Sequence, residues 1–371
     1  MKFSVNRNLL TERLQSVLAV VSTRTTLPIL GNVLLTAEGE RLLLAATDLD
    51  LSMAGSIPAK VTKAGGTTVP ARTFAEIVRE LPDDDVQINV NNHRMEIKSG
   101  RGVYRMSGIS PEEFPRLPAA PEQNAVTIPA DELRSMVQRT LYAVSNDETR
   151  PALNGILWQA NGGSMHMVAT DGHRLACVTT PANRLAGLKD ELIIPPKALS
   201  LVLKMLADDI SEVGIVFAEK NVVFRVGDMV ITSRLIEGPY PNYRQVIPSG
   251  NDKLLKVDAA TLAAAVRRVA VLSNSLTRQV KFAVTQDQIE LSATNQDVGG
   301  EARETISCQY KGDDLEIGYN AHYVLDMLKN FDPGDVVFQL ATSVSAALVQ
   351  SADEAQKDKY LCLVMPLRLA D

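Results

Sequence analysis

The chain repeats one pattern three times, and this repeat constrains its fold more than any other feature. In each copy an apolar run ends in a short triplet: Ala46-Thr47-Asp48, Ala169-Thr170-Asp171 and Ala293-Thr294-Asn295. The triplets lie 123 and 124 residues apart. One triplet alone carries no information, whereas three at near-equal spacing indicate a structural unit that occurs three times.

Each copy also predicts two helices with one apolar face. In the second helix of each copy the apolar residues fall at offsets 0, 3, 4 and 7, which places them on one side of about three turns. Proline precedes two of these helices at Pro70 and Pro195-Pro196, and Asn320 is the expected N-cap of the third. The second-helix stripes are Phe74, Ile77, Val78, Leu81; Leu199, Val202, Leu203, Leu206; and Val324, Met327, Leu328, Phe331. The first-helix stripes are Leu10, Leu14, Val17, Val21; Leu133, Met136, Val137, Leu141, Val144; and Leu262, Val266, Val269, with Asp258 or Thr261 as the last cap.

Short strand patterns follow each second helix, after an acidic turn. Pro/polar stretches at Pro118–Asn124 and Pro248–Asp252 resemble linkers. The sequence therefore predicts an α+β fold of three repeated domains, each with two helices packed on antiparallel sheets. We place the domains at residues 1–120, 121–250 and 251–371.

Composition limits the class of protein. The chain of 371 residues is 45% hydrophobic and carries a formal net charge of −6, which argues against a protein that simply coats nucleic acid. No apolar run is long enough to cross a bilayer, and the first residues lack a signal-peptide pattern, so we expect no membrane partner. The three cysteines, Cys177, Cys308 and Cys362, are far apart, which favours a reducing compartment and a cytoplasmic protein.

Cations recur on the helix faces that the apolar stripes leave outward. Any single one is most simply a solvated surface charge, but the pattern over six helices predicts a long positive surface. Because no aromatic residues interleave with them, such a surface would hold a duplex backbone without reading its sequence. The helix positions are Arg7, Arg13, Arg72, Arg79, Arg134, Arg139, Lys197, Lys204, Arg267, Arg268 and Lys329, and turns add Arg24, Arg150 and Arg278.

Signatures of enzymes are missing from the sequence. It has no phosphate-binding loop, dinucleotide fingerprint, nucleophile elbow or zinc-protease motif, and its four histidines lack metal-ligand spacing. The stretch "VATDGHRL" sets Asp171 beside His173, which could serve a hydrolase. We favour the interpretation that this stretch is the end of a strand followed by a turn. The equivalent triplets of the other two copies also contain a threonine, but no histidine follows them. We therefore expect no catalytic residue, no metal and no cofactor.

Four segments together resemble the bacterial DNA polymerase III β subunit, the DNA sliding clamp family. They are Leu27–Asn32, the "ATDGHRL" stretch, "YPNYR" at Tyr240–Arg244, and "MPLRL" at Met365–Leu369. The resemblance extends over all three repeats. It implies a head-to-tail homodimeric ring whose helices line a central hole around double-stranded DNA. It also implies a protein without chemistry of its own, opened by a clamp-loader ATPase and bound by replicative and repair DNA polymerases through short peptides.

The resemblance further implies a hydrophobic groove that binds those peptides. Its apolar anchors, an adaptable methionine and few polar groups suit several partners. By position the groove comprises Leu153, Thr170, Gly172, His173, Arg174, Leu175, Pro241, Val246, Asn320, Tyr323, Leu363, Met365, Pro366 and Leu367.

A subunit contact between the first and third domains is also implied. Its apolar part would be Tyr104, Met106 and Ile109 against Val271 and Leu272, and its charged part Arg94, Arg101 and Arg105 against Glu301 and Glu304. The chain departs from the family at Pro151-Ala152, where relatives carry two aromatics, which leaves Arg150 as the DNA contact of that loop. The charged segment 351–359 and the terminal Ala370-Asp371 are further departures. The alternative function is a three-repeat peptide-binding scaffold without a nucleic-acid role.

Overall fold

The computed structural model describes residues 1–22, 25–118, 125–161, 163–181, 191–296 and 299–369. Within them it has two helices for each repeat, as the apolar stripes predict. The helices are α1 (Arg7–Leu18), α2 (Ala71–Glu80), α3 (Ala130–Leu141), α4 (Pro196–Met205), α5 (Ala259–Val269) and α6 (Ala321–Leu328).

Twenty-six strands account for most of the remaining described chain. In the first repeat they are β1 (Lys2–Asn6), β2 (Asn32–Glu38), β3 (Arg41–Thr47), β4 (Leu51–Pro58), β5 (Lys60–Lys63), β6 (Gly65–Pro70), β7 (Asp85–Asn91), β8 (Arg94–Ser99) and β9 (Gly102–Ser107). The second repeat has β10 (Val126–Pro129), β11 (Ile156–Asn161), β12 (Ser164–Thr170), β13 (Arg174–Pro181), β14 (Glu191–Ile194), β15 (Glu212–Phe217), β16 (Asn221–Val226) and β17 (Met229–Arg234). The third has β18 (Lys253–Asp258), β19 (Gln279–Val284), β20 (Gln288–Asn295), β21 (Gly300–Ser307), β22 (Gln309–Lys311), β23 (Leu315–Asn320), β24 (Asp335–Leu340), β25 (Ala347–Ser351) and β26 (Tyr360–Val364).

The helix starts follow the expected capping chemistry. The Asn320 side chain accepts from the His322 amide at 2.9 Å, and Asp258 accepts from the Thr261 amide at 2.7 Å, so each satisfies an amide of the first turn that has no partner within its helix. The helix ends come earlier than the stripes suggest. Val21, for example, lies beyond the end of α1 but is 5% exposed, because the turn after the helix folds back onto the same core.

The first compact unit comprises Met1–Asp131 and Lys197–Leu235. Its five-stranded sheet has the order β5-β1-β7-β8-β9, and its eight-stranded sheet has the order β10-β15-β16-β17-β4-β3-β2-β6. The pairing of β17 with β4, where Ile231 faces Met53, joins strands of the second repeat to strands of the first. This unit therefore contains parts of two repeats.

The second compact unit comprises Glu132–Pro196 and Ile236–Asp371. It has a nine-stranded sheet, β14-β11-β12-β13-β26-β25-β24-β18-β22, and a four-stranded sheet, β21-β20-β19-β23. Here the pairing of β13 with β26, where Ala176 faces Cys362, joins the second repeat to the third. The repeat is a unit of sequence, whereas long-range strand pairing decides which segments pack together.

Buried apolar side chains lie under each helix. Leu10 and Leu14 of α1, Phe74 of α2 and Val324 of α6 are fully buried, and α5 buries Leu262 in the same way. The helices thus use their apolar faces to cover the sheets. This confirms the predicted α+β fold of helices packed on antiparallel sheets.

Candidate functional site

The turn after β12 is held by a dense set of local hydrogen bonds. The Thr170 hydroxyl donates to the Arg174 carbonyl at 2.7 Å and accepts from the Gly172 amide at 3.1 Å. One carboxylate oxygen of Asp171 accepts from the amides of His173 and Arg174, at 2.9 and 3.0 Å. Gly172 has φ of +91°, a left-handed conformation that glycine adopts without strain. The A-T-D triplet therefore ends a strand and starts a turn, as predicted.

The same turn recurs in the first repeat. Thr47 accepts from the Leu49 amide at 3.0 Å, and Asp48 accepts from the Asp50 and Leu51 amides at 3.2 and 2.8 Å. Leu49 stands where the second repeat has Gly172, and its φ is +83°. A leucine in this region is strained, so the hydrogen bonds of the Thr-Asp pair fix the turn even against side-chain preference.

Arg174 connects this turn to α6. Its Nε donates to Asp171 Oδ2 at 3.1 Å, and its Nη1 donates to Asp326 Oδ2 at 2.7 Å. The guanidinium also lies between two aromatic rings, 4.5 Å from the ring centre of Tyr323 and 5.3 Å from that of Tyr142. Only 13% of the Arg174 side chain is exposed, and its charge is engaged by two carboxylates and two rings.

A small polar cluster lies behind Arg174. The Tyr142 hydroxyl is 3.1 Å from the Tyr360 hydroxyl and 3.4 Å from the Cys362 sulfur. Burial raises the pKa of Tyr142 well above its ordinary value and raises the pKa of the Cys362 thiol to about 12. These groups are therefore neutral and packed, and no thiolate nucleophile arises here.

An apolar groove of about 250 Å³ lies beside the turn. Leu153, Leu175 and Leu363 are largely buried and belong to one hydrophobic cluster. Val246 and Met365 are 59% and 42% exposed, which leaves apolar surface open to a ligand. The Met365 amide donates to the His173 carbonyl at 2.8 Å, so the C-terminal segment is fixed directly to the turn.

Ten of the fourteen predicted groove residues line this cavity: Leu153, Thr170, Gly172, His173, Arg174, Leu175, Pro241, Val246, Leu363 and Met365. The other four do not line it. Asn320 caps α6, Tyr323 stacks on Arg174, and the Leu367 amide donates to the Gly318 carbonyl at 2.8 Å, with Pro366 half-buried beside it.

Sequence reasoning missed two residues of the groove, Asn242 and Tyr243. Both are next to Pro241, in the short segment "YPNYR" that carries part of the resemblance. Tyr243 is buried and is the first residue of a 3-10 helix, Tyr243–Val246, which brings Val246 to the rim of the groove. Their position next to Pro241 in the sequence is the signal that could have identified them. Only the geometry of the 3-10 helix shows that Asn242 and Tyr243 both line the cavity.

The site does not have the geometry of a hydrolase. Both oxygens of the Asp171 carboxylate are occupied by backbone amides and by Arg174, so the carboxylate does not orient the His173 ring. Across the part of the chain that the structure describes, no three His, Cys, Asp or Glu side chains lie together as metal ligands would. The groove can bind apolar side chains, and its polar groups can fix their register.

Comparison with known proteins decides the family. The model of the DNA polymerase III beta subunit N-terminal domain matches residues 1–118, that of the central domain residues 127–242, and that of the C-terminal domain residues 244–368. The chain belongs to the DNA polymerase III beta subunit family. Its function is that of a sliding clamp, and the resemblance found in the sequence is confirmed.

Individual relatives match over their whole length. The chain is 36% identical to the beta sliding clamp of Pseudomonas aeruginosa and 34% identical to that of Escherichia coli K12, with 100% of both chains covered in each case. Its fold matches the P. aeruginosa sliding clamp bound to griselimycin with a TM-score of 0.92 at 36% identity. It matches a beta sliding clamp of Caulobacter crescentus with a TM-score of 0.94 at 34% identity, again over all of both chains.

The cations expected on the clamp helices divide into free and engaged groups. Arg72, Lys204 and Arg267 are exposed and have no carboxylate within ion-pair distance among the described residues. Arg79 is exposed beside Glu80, and Arg134 is half-buried. The remaining pairs are Lys197 with Asp48, Arg139 with Asp332, Arg150 with Asp147, Arg268 with Glu304, and Arg278 with His322. Arg24 lies outside the described residues.

Three of these cations are not outward charges. Arg139 is 17% exposed, pairs with Asp332 at 2.8 Å and lies over the Tyr360 ring. Arg13 is 13% exposed and forms a two-pronged pair with Asp228. Arg7 donates to the carbonyls of Val78 and Arg79 at the C-terminal end of α2. The expectation of outward-facing side chains is wrong for these three, because a partner from a distant segment reaches each of them.

The predicted subunit contact lies partly on strand edges. Tyr104 is 41% exposed on β9, an edge of the five-stranded sheet, and Val271 is 78% exposed. The Ile109 amide donates to the Thr68 carbonyl at 3.0 Å, so its backbone is already paired within the chain. Met106 and Leu272 are half-buried, whereas Arg94 and Arg101 are exposed.

The charged side of that contact is engaged within the single chain. Arg105 pairs with Glu96, Arg303 with Glu301, and Arg268 with Glu304. The predicted pairing across subunits would therefore have to exchange with these pairs.

No helix in the described residues is both long and apolar enough to span a membrane.

Proposed function

We propose that two copies of the chain close into a ring around duplex DNA and hold polymerases to it through the apolar groove. The observation that carries this proposal is the groove itself. Residues from four distant segments, around 153, 170–175, 241–246 and 363–365, meet in one cavity beside open apolar surface. A sliding clamp needs such a surface, because its partners must bind through a short segment and later exchange.

Enclosure, rather than tight binding, would retain the DNA. Free cations such as Arg72, Lys204 and Arg267 suit weak contacts with phosphates, which exchange quickly and weaken with salt. Such contacts let the ring slide while the closed topology prevents dissociation. Arg150 and Lys197, whose own side chains are exposed, can join this surface by exchanging their carboxylate partners Asp147 and Asp48 for a phosphate.

The subunit contact would use the exposed edge of β9. Tyr104 and Val271 supply apolar surface, and a closed ring follows when the first domain of each copy meets the third domain of the other. We keep the three domains at residues 1–120, 121–250 and 251–371. A clamp-loader ATPase would open the contact, and the clamp would act on chromosomal DNA in the cytoplasm without chemistry of its own.

A run-off experiment tests the enclosure. The protein is loaded by a clamp loader onto a nicked circular plasmid, the loader is removed in high salt, and retention on the DNA is measured by gel filtration. Retention on the circle followed by loss after the plasmid is cut once supports the ring. A protein that stays on the linear DNA under the same salt would contradict it, because a bound but unthreaded protein does not depend on free ends.

A charge variant separates this function from the peptide-binding scaffold. Arg72→Gln with Lys204→Gln removes two free cations of the helices. A clamp would load less well while its affinity for a groove ligand stays unchanged. If the variant loads as well as the unmodified protein and binds the groove ligand equally well, the helix cations have no part in the proposed function. If the unmodified protein is not retained on circular DNA at all, the peptide-binding scaffold is favoured.

A further inference from the structure

The five-stranded sheet of the first compact unit has one buried face and one open face. Phe3 and Val5 of β1, Ile88 of β7 and Ile97 of β8 are buried, and the residues that alternate with them are mostly exposed. The alternation is regular across β1, β7 and β8, so the open face is an array of mostly polar side chains.

Positive charge dominates the open face. Its charged positions are six cations and two carboxylates, although the whole chain carries a net charge of −6. We call this face the basic sheet face; its cations are Lys2, Lys60, Lys63, Arg94, Lys98 and Arg105, and its carboxylates are Asp85 and Glu96.

Two lysines of the basic sheet face oppose each other directly. In the pairing of β1 with β5, Lys2 stands opposite Lys63, and Lys60 stands opposite Ser4 on the same face. Like charges in directly opposed positions destabilise a sheet. None of the three lysines has a carboxylate within ion-pair distance among the described residues, so the sheet itself leaves their charge uncompensated.

The carboxylates near these lysines do not neutralise the face. Glu96 is occupied by Lys98 at 3.1 Å and Arg105 at 2.7 Å, and hydrogen bonds from those two side chains lower its pKa. Asp85 lies at the end of β7, and together with Glu40 it lines a cavity that also contains Lys60. Neither Asp85 nor Glu40 forms an ion pair with a lysine of the face.

The other side chains of the face suit phosphate rather than protein. Ser4, Gln87 and Asn89 lie between the lysines and can donate hydrogen bonds. Protein interfaces are anchored by buried aromatic and apolar side chains, whereas the main apolar residue on this face is Val103, at the β9 edge. Side chains at alternate positions of a strand and at paired positions of neighbouring strands lie about 5 to 7 Å apart, so a densely charged polyanion can contact several of these cations at once.

We infer that the basic sheet face is a second nucleic-acid contact, which binds the phosphate backbone of duplex DNA outside any enclosed strand. Its centre is formed by Lys2, Lys60 and Lys63, on the strands farthest from the β9 edge that the subunit contact would use. The inference rests on these three lysines, because Arg94 and Arg105 also belong to the predicted subunit contact. The contact is independent of sequence and of the groove. It goes beyond the proposed function, because it needs neither a closed ring nor a clamp loader.

Covalently closed circular plasmid without a clamp loader is the probe for this contact. A closed ring cannot thread such DNA, so binding reports contacts on the outside of the protein. We expect weak binding by the unmodified protein at about 50 mM salt, steeply reduced at higher salt. The variant Lys2→Gln/Lys60→Gln/Lys63→Gln should bind about tenfold more weakly, with a salt slope smaller by about 3.

A variant with the same change in net charge serves as the control. Lys220→Gln/Lys311→Gln/Lys359→Gln removes three lysines from other strands and loops and should bind plasmid like the unmodified protein. Equal loss in both variants, or no loss in the lysine variant of the sheet face, would overturn the inference. Binding to polyglutamate with the same affinity as to DNA would also overturn it, in favour of an acidic protein partner.

Loading and run-off keep this inference separate from the proposed function. The variant of the basic sheet face should still be retained on loaded circles and still run off linear DNA. If it loses plasmid binding but is retained normally, the outer contact stands alone. If the unmodified protein is not retained on circles but binds closed plasmid through these lysines, the ring fails and the outer contact survives.

Discussion

The Arg174 guanidinium lies over the Tyr323 ring at 4.5 Å, which attaches the turn after β12 to helix α6. The ion pair from Arg174 to Asp326 at 2.7 Å strengthens the same attachment. One wall of the groove therefore depends on a side chain that has two partners, Tyr323 and Asp326, in the third repeat. Rigid support of this kind makes a binding surface ready for its ligand and lowers the ordering cost of binding.

Removing the Arg174 side chain should weaken groove binding. We expect Arg174→Ala to bind a short polymerase-derived peptide, the ligand proposed for the groove, at least about tenfold more weakly, a change of about 1.4 kcal/mol, because it loses two ion pairs and the aromatic stacking together. Isothermal titration calorimetry measures the affinity. Arg174→Lys should recover part of the loss at most, since an ammonium cannot make the two-sided contact.

Arg303→Ala is the matched control, because it removes an exposed guanidinium from β21 and should leave the affinity unchanged. Unaltered peptide affinity in a folded Arg174→Ala protein would contradict a role for this residue in the groove.

The two equivalent turns predict opposite effects on stability. Gly172→Ala places a side chain at φ of +91° and within 3.0 Å of the Arg150 guanidinium, so it should destabilise the protein by about 1 to 2 kcal/mol. Leu49→Gly relieves strain at φ of +83° and removes a side chain that is 56% exposed, so it should be neutral or slightly stabilising. Urea unfolding midpoints of both variants give the comparison. A lower midpoint for Leu49→Gly would mean that its side chain packs more tightly than its exposure suggests.

The cap of α5 predicts a dependence on pH. Hydrogen bonds from the Thr261 side chain and amide lower the pKa of Asp258 below its ordinary value of 3.8. The folded protein therefore binds this proton less readily than the unfolded chain does. The stabilisation is fully present above about pH 4 and is lost as the pH falls through the lowered pKa.

The substitution Asp258→Asn keeps a side-chain oxygen that can cap α5 but removes the carboxylate that titrates. We expect the unmodified protein to be more stable at pH 7 by at most about 1 kcal/mol, since the carboxylate is largely exposed, and the difference to vanish near pH 2. Urea midpoints at the two pH values measure it. A difference that grows on acidification would have the wrong sign for this cap.

The proposed subunit contact predicts a change in mass. The unmodified protein should scatter light as a particle of twice 40.3 kDa. Tyr104→Ser with Val271→Ser removes exposed apolar surface from both sides of the contact and should shift the mass toward 40.3 kDa. Leu276→Ser with Val344→Ser alters two side chains that are also exposed, and it should remain a dimer. Dissociation of the control alone would place the contact elsewhere.

The sequence by itself determined the features that depend on neighbouring residues. Apolar stripes located the helices, Asn320 and Asp258 located two caps, and the Thr-Asp pair fixed a turn that forms even with Leu49 in place of glycine. The segments "ATDGHRL" and "MPLRL" contain half of the residues that line the groove. These features are local because backbone hydrogen bonding and side-chain periodicity act over a few residues.

Only the tertiary structure decided the features that depend on distant pairing. Arg13 and Arg139 lie on helix faces that the sequence left open, yet Asp228 and Asp332 reach them from more than 190 residues away. Lys2 and Lys63 form one charged face only because β1 pairs with β5 in that register. Strand register and ion pairing join residues that no local pattern relates, so sequence periodicity can place a side chain on a face but cannot show what it meets there.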